Sequence, residues 1–289
     1  MRPLDDVSTV SLAVNVPGPT ASARLVSLGA SVTKVEPPAG DPLASTHPAW
    51  YDELRAGQQV VSLDLKQAAD RARLDELLEP ADLLLTSSRP GALSRLGLAW
   101  AELHARFHRL CQVAIVGYPA PDRDRPGHDL TYAAAHGLVV PPDLPRTLVA
   151  DLGGAELAAT AAVGLLLARE RGGEAGYAEV ALADAASAFA APLRHGATAA
   201  GGPLGGGSPS YGLYPAEDGW LAVAALEPHF QLRLAEQPGL DDLTHEALAA
   251  AFRARTADDW ETWARERDLP LAAVRQRVGS PRSRRYESS

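Results

Sequence analysis

The chain has 289 residues, 46% hydrophobic and 22% charged, an ordinary globular composition with length for one large core or two modest ones. A formal net charge of −9 argues against nucleic acid or an anionic membrane as the main partner. The single cysteine, Cys111, excludes a disulfide framework within the chain and fits a reducing, cytoplasmic setting.

Met1-Arg2-Pro3-Leu4-Asp5-Asp6 lacks an apolar h-region, so no signal peptide is expected. Val7–Val14 reads as a strand, after which Pro17-Gly18-Pro19 opens a helix to about Leu28, closed by Gly29. Strands follow over 31–36, 60–65 and 81–86, with helices over 67–78 and about 99–108. Cys111 sits in the apolar run Leu110–Val116, a fifth strand, where it reads as a small core residue rather than a nucleophile. Strands alternating with helices predict an α/β protein whose Rossmann-like parallel sheet is covered on both faces. The Ala/Leu segment 152–170 predicts a central buried helix; its Ala-rich stretch 155–168 is too short to span a membrane and is bounded by Glu156 and Arg169.

After about residue 198 the character changes. The Gly-rich stretch 199–210 reads as a flexible connector or a loop over a ligand. Beyond it, Tyr211–Tyr214 and Trp220–Ala225 flank Glu217-Asp218-Gly219 as a hairpin, and helices near 228–236, 243–253 and 256–267 complete a smaller α+β domain. The expected organisation is therefore a large domain over 1–198, a linker over 199–210 and a small domain over 211–289, with a frayed polar tail at 282–289.

Two segments carry the candidate chemistry. Gly127-His128-Asp129-Leu130-Thr131-Tyr132 and Asp151-Leu152-Gly153-Gly154 place an imidazole and carboxylates beside glycines that permit close approach. Brought to one pocket, His128 and a carboxylate form a two-base pair able to remove and return a proton. On the alternative reading, His128 is a loop histidine and Asp129 and Asp151 are helix N-caps. His104 and His108, spaced i and i+4, have no third ligand in evidence and read as a solvated helix face, so no metal is expected.

Taken in order, several segments together resemble the class III CoA-transferase family, which includes formyl-CoA transferase, carnitine CoA-transferase and α-methylacyl-CoA racemase. They are Pro17-Gly18-Pro19, Leu28-Gly29-Ala30 through Glu36-Pro37-Pro38, Gly40-Asp41-Pro42, Ser62-Leu63-Asp64-Leu65-Lys66, Arg89-Pro90-Gly91, Arg95-Leu96-Gly97-Leu98, Gly127-His128-Asp129, Asp151-Leu152-Gly153-Gly154, Asp218-Gly219 and Leu226-Glu227-Pro228. The resemblance implies an acyl-CoA enzyme with no cofactor beyond coenzyme A as part of the substrate, and a homodimer. It divides the chemistry at Asp151. In the transferases the matching aspartate is the nucleophile, passing through an anhydride to an aspartyl-CoA thioester. In the racemases it pairs with a histidine to exchange the α-proton of a 2-methylacyl thioester.

His128 in the Gly-x-Asp position favours the racemase side, with His128, Asp151, Glu227 and Asp129 as the implied catalytic set. Glu227 resembles the glutamate that orients the histidine, or it complements the dipole of the helix it opens. Arg55, Arg89, Gly153, Gly154 and Tyr132 form the implied thioester-binding set. Arg89 otherwise reads as a surface arginine at a turn. The two glycines offer N–H groups to an enolate oxygen or only allow tight helix packing. Two departures stand out. Arg55-Ala56-Gly57-Gln58 has a neutral amide where the family has a lysine for the CoA phosphates, which leaves open another thioester carrier or a non-catalytic relative. The chain also stops soon after Leu269–Val274, so a dimer of closed, interlocked rings is not expected.

Overall fold

The computed structural model describes residues 2–236, 240 and 242–275, so the 282–289 tail lies outside the described residues. They fall in two compact units, Met1–Ala191 and Pro192–Ser289.

The first unit is built from β1 (Ser8–Ser11), α1 (Pro17–Ser27), β2 (Ser31–Glu36), α2 (Pro42–Thr46), α3 (Pro48–Leu54), β3 (Gln59–Ser62), α4 (Ala68–Leu78) and β4 (Leu83–Thr86). It continues through α5 (Pro90–Arg95), α6 (Trp100–Arg106), β5 (Cys111–Val116), α7 (Asp129–Ala135), α8 (Val149–Glu170), β6 (Tyr177–Ala181) and α9 (Leu182–Phe189), and α10 (Ala191–Arg194) straddles the boundary. The strands form one parallel sheet in the order β3-β2-β1-β4-β5-β6. Every residue of β4 and β5 is buried, as continuous apolar strands covered on both faces require. Alternate side chains feed two cores: Leu83, Leu85 and Val113 pack with α8, whereas Val10 and Leu84 pack with Leu74, Leu78 and Leu103.

The order in which strands are added reverses at β1, whose neighbours are β2 and β4. Such a switch point opens a crevice beyond the carboxyl ends of the strands, the place where open α/β sheets bind ligands. The predicted strands and helices of this unit are present, several of them trimmed at the ends. Sequence patterning does not anticipate β6 and α9, because alanines dominate Tyr177–Phe189 and blur both periods. The central helix begins at Val149, three residues ahead of the expected start, and is long and apolar enough to cross a membrane. Ala150, Ala155, Ala158, Ala162 and Leu166 are nevertheless buried in the first unit's core.

In the second unit, β7 (Tyr211–Pro215), β8 (Trp220–Ala224) and β9 (Leu271–Ala273) form an antiparallel sheet beside α11 (Pro228–Ala235), α12 (His245–Phe252) and α13 (Ala257–Arg265). Trp260, Phe252, Leu221, Leu234 and Leu248 make its core, and the buried Trp260 indole donates to the Phe252 carbonyl at 2.7 Å. The Gly-rich stretch belongs to this unit and is a tight turn, not a loose connector. Gly202 and Leu204 donate to the Ala199 and Ala197 carbonyls at 2.8 Å, and Gly207 to the Gly202 carbonyl at 2.9 Å. A Cβ at Gly202, Gly205 or Gly207 would lie 1.9–2.2 Å from a carbonyl oxygen, so backbone crowding accounts for those three glycines. The boundary accordingly falls at 191/192 instead of 198/199.

Candidate active site

A cavity of about 370 Å3 opens at the switch point of the first unit. The residues after β1 (Val14, Asn15), after β4 (Ser87, Ser88, Arg89) and after β5 (Gly117) reach it, together with Arg123, Arg125, His128, Tyr132 and Asp151. Ser87 ties two of those loops together, its Oγ accepting from the Val14 N–H at 2.9 Å. Asn15 holds a left-handed conformation, φ 66°, and its N–H donates to Asp41 Oδ1 at 3.1 Å. Asp41 belongs to a buried charge cluster: Lys34 Nζ, fully buried, meets Asp41 Oδ2 at 2.6 Å and Glu36 Oε1 at 2.7 Å. Tyr51 donates to the same Glu36 oxygen at 2.5 Å. Burial pushes the Glu36 carboxyl up, but Lys34 and the Tyr51 hydroxyl outweigh it and hold the group below its ordinary value. This cluster fixes the β1–α1 loop that forms one wall of the cavity.

Asp151 sits in the first turn of α8 and is half-buried. Burial first, and the neighbouring Asp129 second, push its carboxyl up from 3.8 to about 6. Asp129 is not among the residues that line the cavity. Its Oδ1 accepts from the N–H groups of Ala150 and Asp151 at 2.7 and 3.0 Å, capping α8 from outside where Leu148 at the N-cap has no side-chain acceptor. Asp129, one of the implied catalytic set, thus holds the first turn of α8, which carries Asp151, from outside the cavity. Neither aspartate is the N-cap of its own helix, since those positions fall to His128 and Leu148.

His128 is exposed on the cavity rim, and the Thr131 hydroxyl both accepts from its N–H and donates to its carbonyl. Tyr132 is buried on the wall, edge-on to Tyr118 at 5.0 Å. Its hydroxyl is pushed up to about 12, first by burial and then by Tyr118 and Asp151, so near neutral pH it is a hydrogen-bond donor. Gly117 and Gly127 make room for it, because a Cβ at either would lie 2.5 Å from the tyrosine.

Gly153 and Gly154 do not line the cavity. They follow the first turn of α8, so their N–H groups are spent inside the helix. A Cβ there would meet Phe189 at 2.2 Å or Leu182 at 2.3 Å, so these glycines seat α8 against α9. Arg89 does line the cavity, held out of α5 in an extended conformation by Pro90. Arg55 does not; it stands at the end of α3, 5.7 Å from the Tyr51 ring, paired with Asp52 at 2.8 Å. Glu227 lies in the second unit, exposed at the N-cap of α11 with no side-chain bond to that helix.

Asn15, Ser87, Arg123 and Arg125 were not singled out from sequence. The only available signal was position: Arg123-Asp124-Arg125 stands one residue, Pro126, ahead of the Gly-His-Asp motif, and Ser87 directly follows a predicted strand. Among the described residues no group of three or more His, Cys, Asp or Glu could hold a metal ion.

The sequence model of CoA-transferase family III matches residues 4–279. The chain belongs to CoA-transferase family III. It is 30% identical over 279 residues to the succinyl-CoA--D-citramalate CoA-transferase of Chloroflexus aurantiacus, covering 88% of this chain and 69% of that one. It is 29% identical to the probable fatty acyl-CoA transferase Rv3272 of Mycobacterium tuberculosis, covering 94% and 77% of the two chains. A crystal structure of that Mycobacterium protein superposes with a TM-score of 0.82 over 96% of this chain and 85% of the other, at 28% identity. A CaiB/BaiF family protein from Brucella suis, 23% identical, shares the fold with a TM-score of 0.79.

Proposed function

We propose that this family III member moves coenzyme A between carboxylic acids, with Asp151 as the nucleophile. The observation that carries the reading is a half-buried carboxyl, raised to about 6, on the wall of the cavity at the sheet's switch point. The names of the transferase relatives support it. A carboxylate oxygen of Asp151 attacks the thioester carbonyl; the C–S bond breaks, the thiolate leaves and a mixed anhydride forms. The thiolate then attacks the Asp151 carbonyl carbon, the donor acid departs as its carboxylate, and Asp151 carries coenzyme A as a thioester. An acceptor carboxylate reverses both steps and regenerates Asp151.

Each step exchanges one anion for another, so the cycle requires no general base. Asp151 has only to be ionised, and activity should rise with pH through about 6 and then level. Tyr132, protonated and on the cavity wall, supplies the donor to the developing oxyanion that the helix glycines do not. Arg89 and Arg125 on the cavity lining offer cations to the phosphates of the carrier.

A second reading, α-proton exchange on a 2-methyl-branched acyl thioester, is favoured by one observation: His128 and Asp151 line the same cavity. Incubation with acyl-CoA and a second carboxylic acid in deuterated buffer separates the two. Transfer yields the new acyl-CoA, is abolished in Asp151→Asn and leaves the α-carbon unlabelled. Deuterium at the α-carbon without a new acyl-CoA would establish exchange instead. Neither product would leave a protein that kept the fold without the chemistry.

A further inference from the structure

Among the described residues, Arg123 is the cavity-lining arginine whose guanidinium pairs with a carboxylate. Its Nε donates to Glu179 Oε1 at 2.9 Å. Glu179 stands on the edge strand β6, opposite Ala114 of β5, and its side chain is only 16% exposed against 45% for Arg123. The other carboxylate oxygen accepts from the Tyr177 hydroxyl at 3.2 Å. Tyr177 is partly exposed, with its ring 5.9 Å from Trp100, which stacks on His104 at 4.7 Å. Burial, with Glu179 beside it, pushes the Tyr177 hydroxyl up to about 12, so it remains a donor and Glu179 remains the acceptor. An aromatic stack thus fixes a carboxylate, and the carboxylate fixes an arginine that lines the cavity.

The edge used matters. Glu179 takes Nε, and a guanidinium held there keeps its two-Nη face as a fork suited to a carboxylate or a phosphate. We propose that Glu179 is a positioning residue that aims Arg123 into the cavity, where Arg123 binds an anionic group of the substrate. The inference rests on the acyl-CoA reading above. Two sources share that chemistry: a phosphate of coenzyme A, or the distal carboxylate of a dicarboxylic acid. A salt bridge serving stability alone predicts no effect on substrate affinity; an aimed cation predicts a selective one.

The test is a double-mutant cycle on the full chain with Glu179→Gln, Arg123→Gln and the double variant, following thermal midpoint, kcat and KM. Calorimetric binding of coenzyme A, pantetheine, succinate and butyrate accompanies it. Both single variants should raise KM for one anionic substrate by about tenfold, the scale of losing a charge-assisted contact, with kcat within about twofold. The double variant should match Arg123→Gln alone, because Glu179 acts only through the arginine. Weaker binding of coenzyme A but not pantetheine assigns the phosphate, and weaker binding of succinate but not butyrate assigns the distal carboxylate.

Arg123→Lys keeps the charge without the fork and should fall between wild type and Arg123→Gln. It also stands in should Glu179→Gln fail to fold. Unchanged affinity for all four probes in Arg123→Gln, or a Glu179→Gln effect on KM that persists in the Arg123→Gln background, overturns the proposal. The calorimetry decides the point even if the wild-type protein transfers nothing, an outcome that would reject the acyl-transfer reading separately.

Discussion

Replacing Asp151 with Asn should stabilise the first unit near neutral pH while it abolishes activity. The native carboxyl ionises at about 6 against 3.8 for the free group, so between those values the folded state binds more protons than the unfolded chain. Stability therefore falls as pH rises through that window and is fully present only below it. At about 1.4 kcal/mol per pH unit, the ionised carboxylate costs the fold up to about 3 kcal/mol above pH 7. An Asn mimics the protonated form, avoids repulsion from Asp129 and keeps the shape of the site. Urea unfolding of both proteins at pH 7.5 and 4 measures the difference. The Asn variant should gain up to about 3 kcal/mol at the higher pH and little or nothing at the lower. Equal stability at both values, or a loss at pH 7.5, would refute the claim that burial strains this carboxylate.

His128→Gln should leave coenzyme A transfer within about tenfold of wild type, because the anion-for-anion cycle needs no imidazole; under the exchange reading, deuterium incorporation falls by about 100-fold or more. Lys34→Met leaves Glu36 and Asp41 facing each other without their cation and should cost about 3–5 kcal/mol, read from the thermal midpoint, with a smaller loss in Lys34→Met/Asp41→Asn. Two glycines of α8 should respond with opposite sign. Gly154→Ala drives a Cβ to 2.3 Å from Leu182 and should destabilise by about 1–3 kcal/mol, whereas Gly164→Ala meets nothing within 4 Å and should stabilise by about 0.5–1 kcal/mol. Denaturant midpoints check both, and equal changes would show that helix propensity, not the α8–α9 contact, governs the site.

The sheet was legible because its strands are short apolar runs punctuated by Pro and Gly, and because the strand–helix alternation leaves few topologies. That His128, Tyr132, Arg89 and Asp151 reach one cavity was legible because each lies in a compact motif whose residue types already suggest chemistry. Other parts depend on contacts that no local pattern records. Arg123 meets Glu179 56 residues further on, and Asp129 caps a helix that begins 20 or so residues later. Gly153 and Gly154 carry the same letters whether they bind an oxyanion or seat a helix; only the start of α8 at Val149 decides between the two. For the 199–210 stretch, composition is equally silent on whether glycines serve freedom or crowding.

In the proposed cycle Asp151 forms the covalent bond to the transferred group. Incubating the protein with an acyl-CoA, quenching with hydroxylamine and mapping the peptides by mass spectrometry tests it directly. A hydroxamate should appear on Asp151 only when acyl-CoA is present and be absent from Asp151→Asn. An unmodified Asp151 in protein that is visibly turning over its thioester would contradict it.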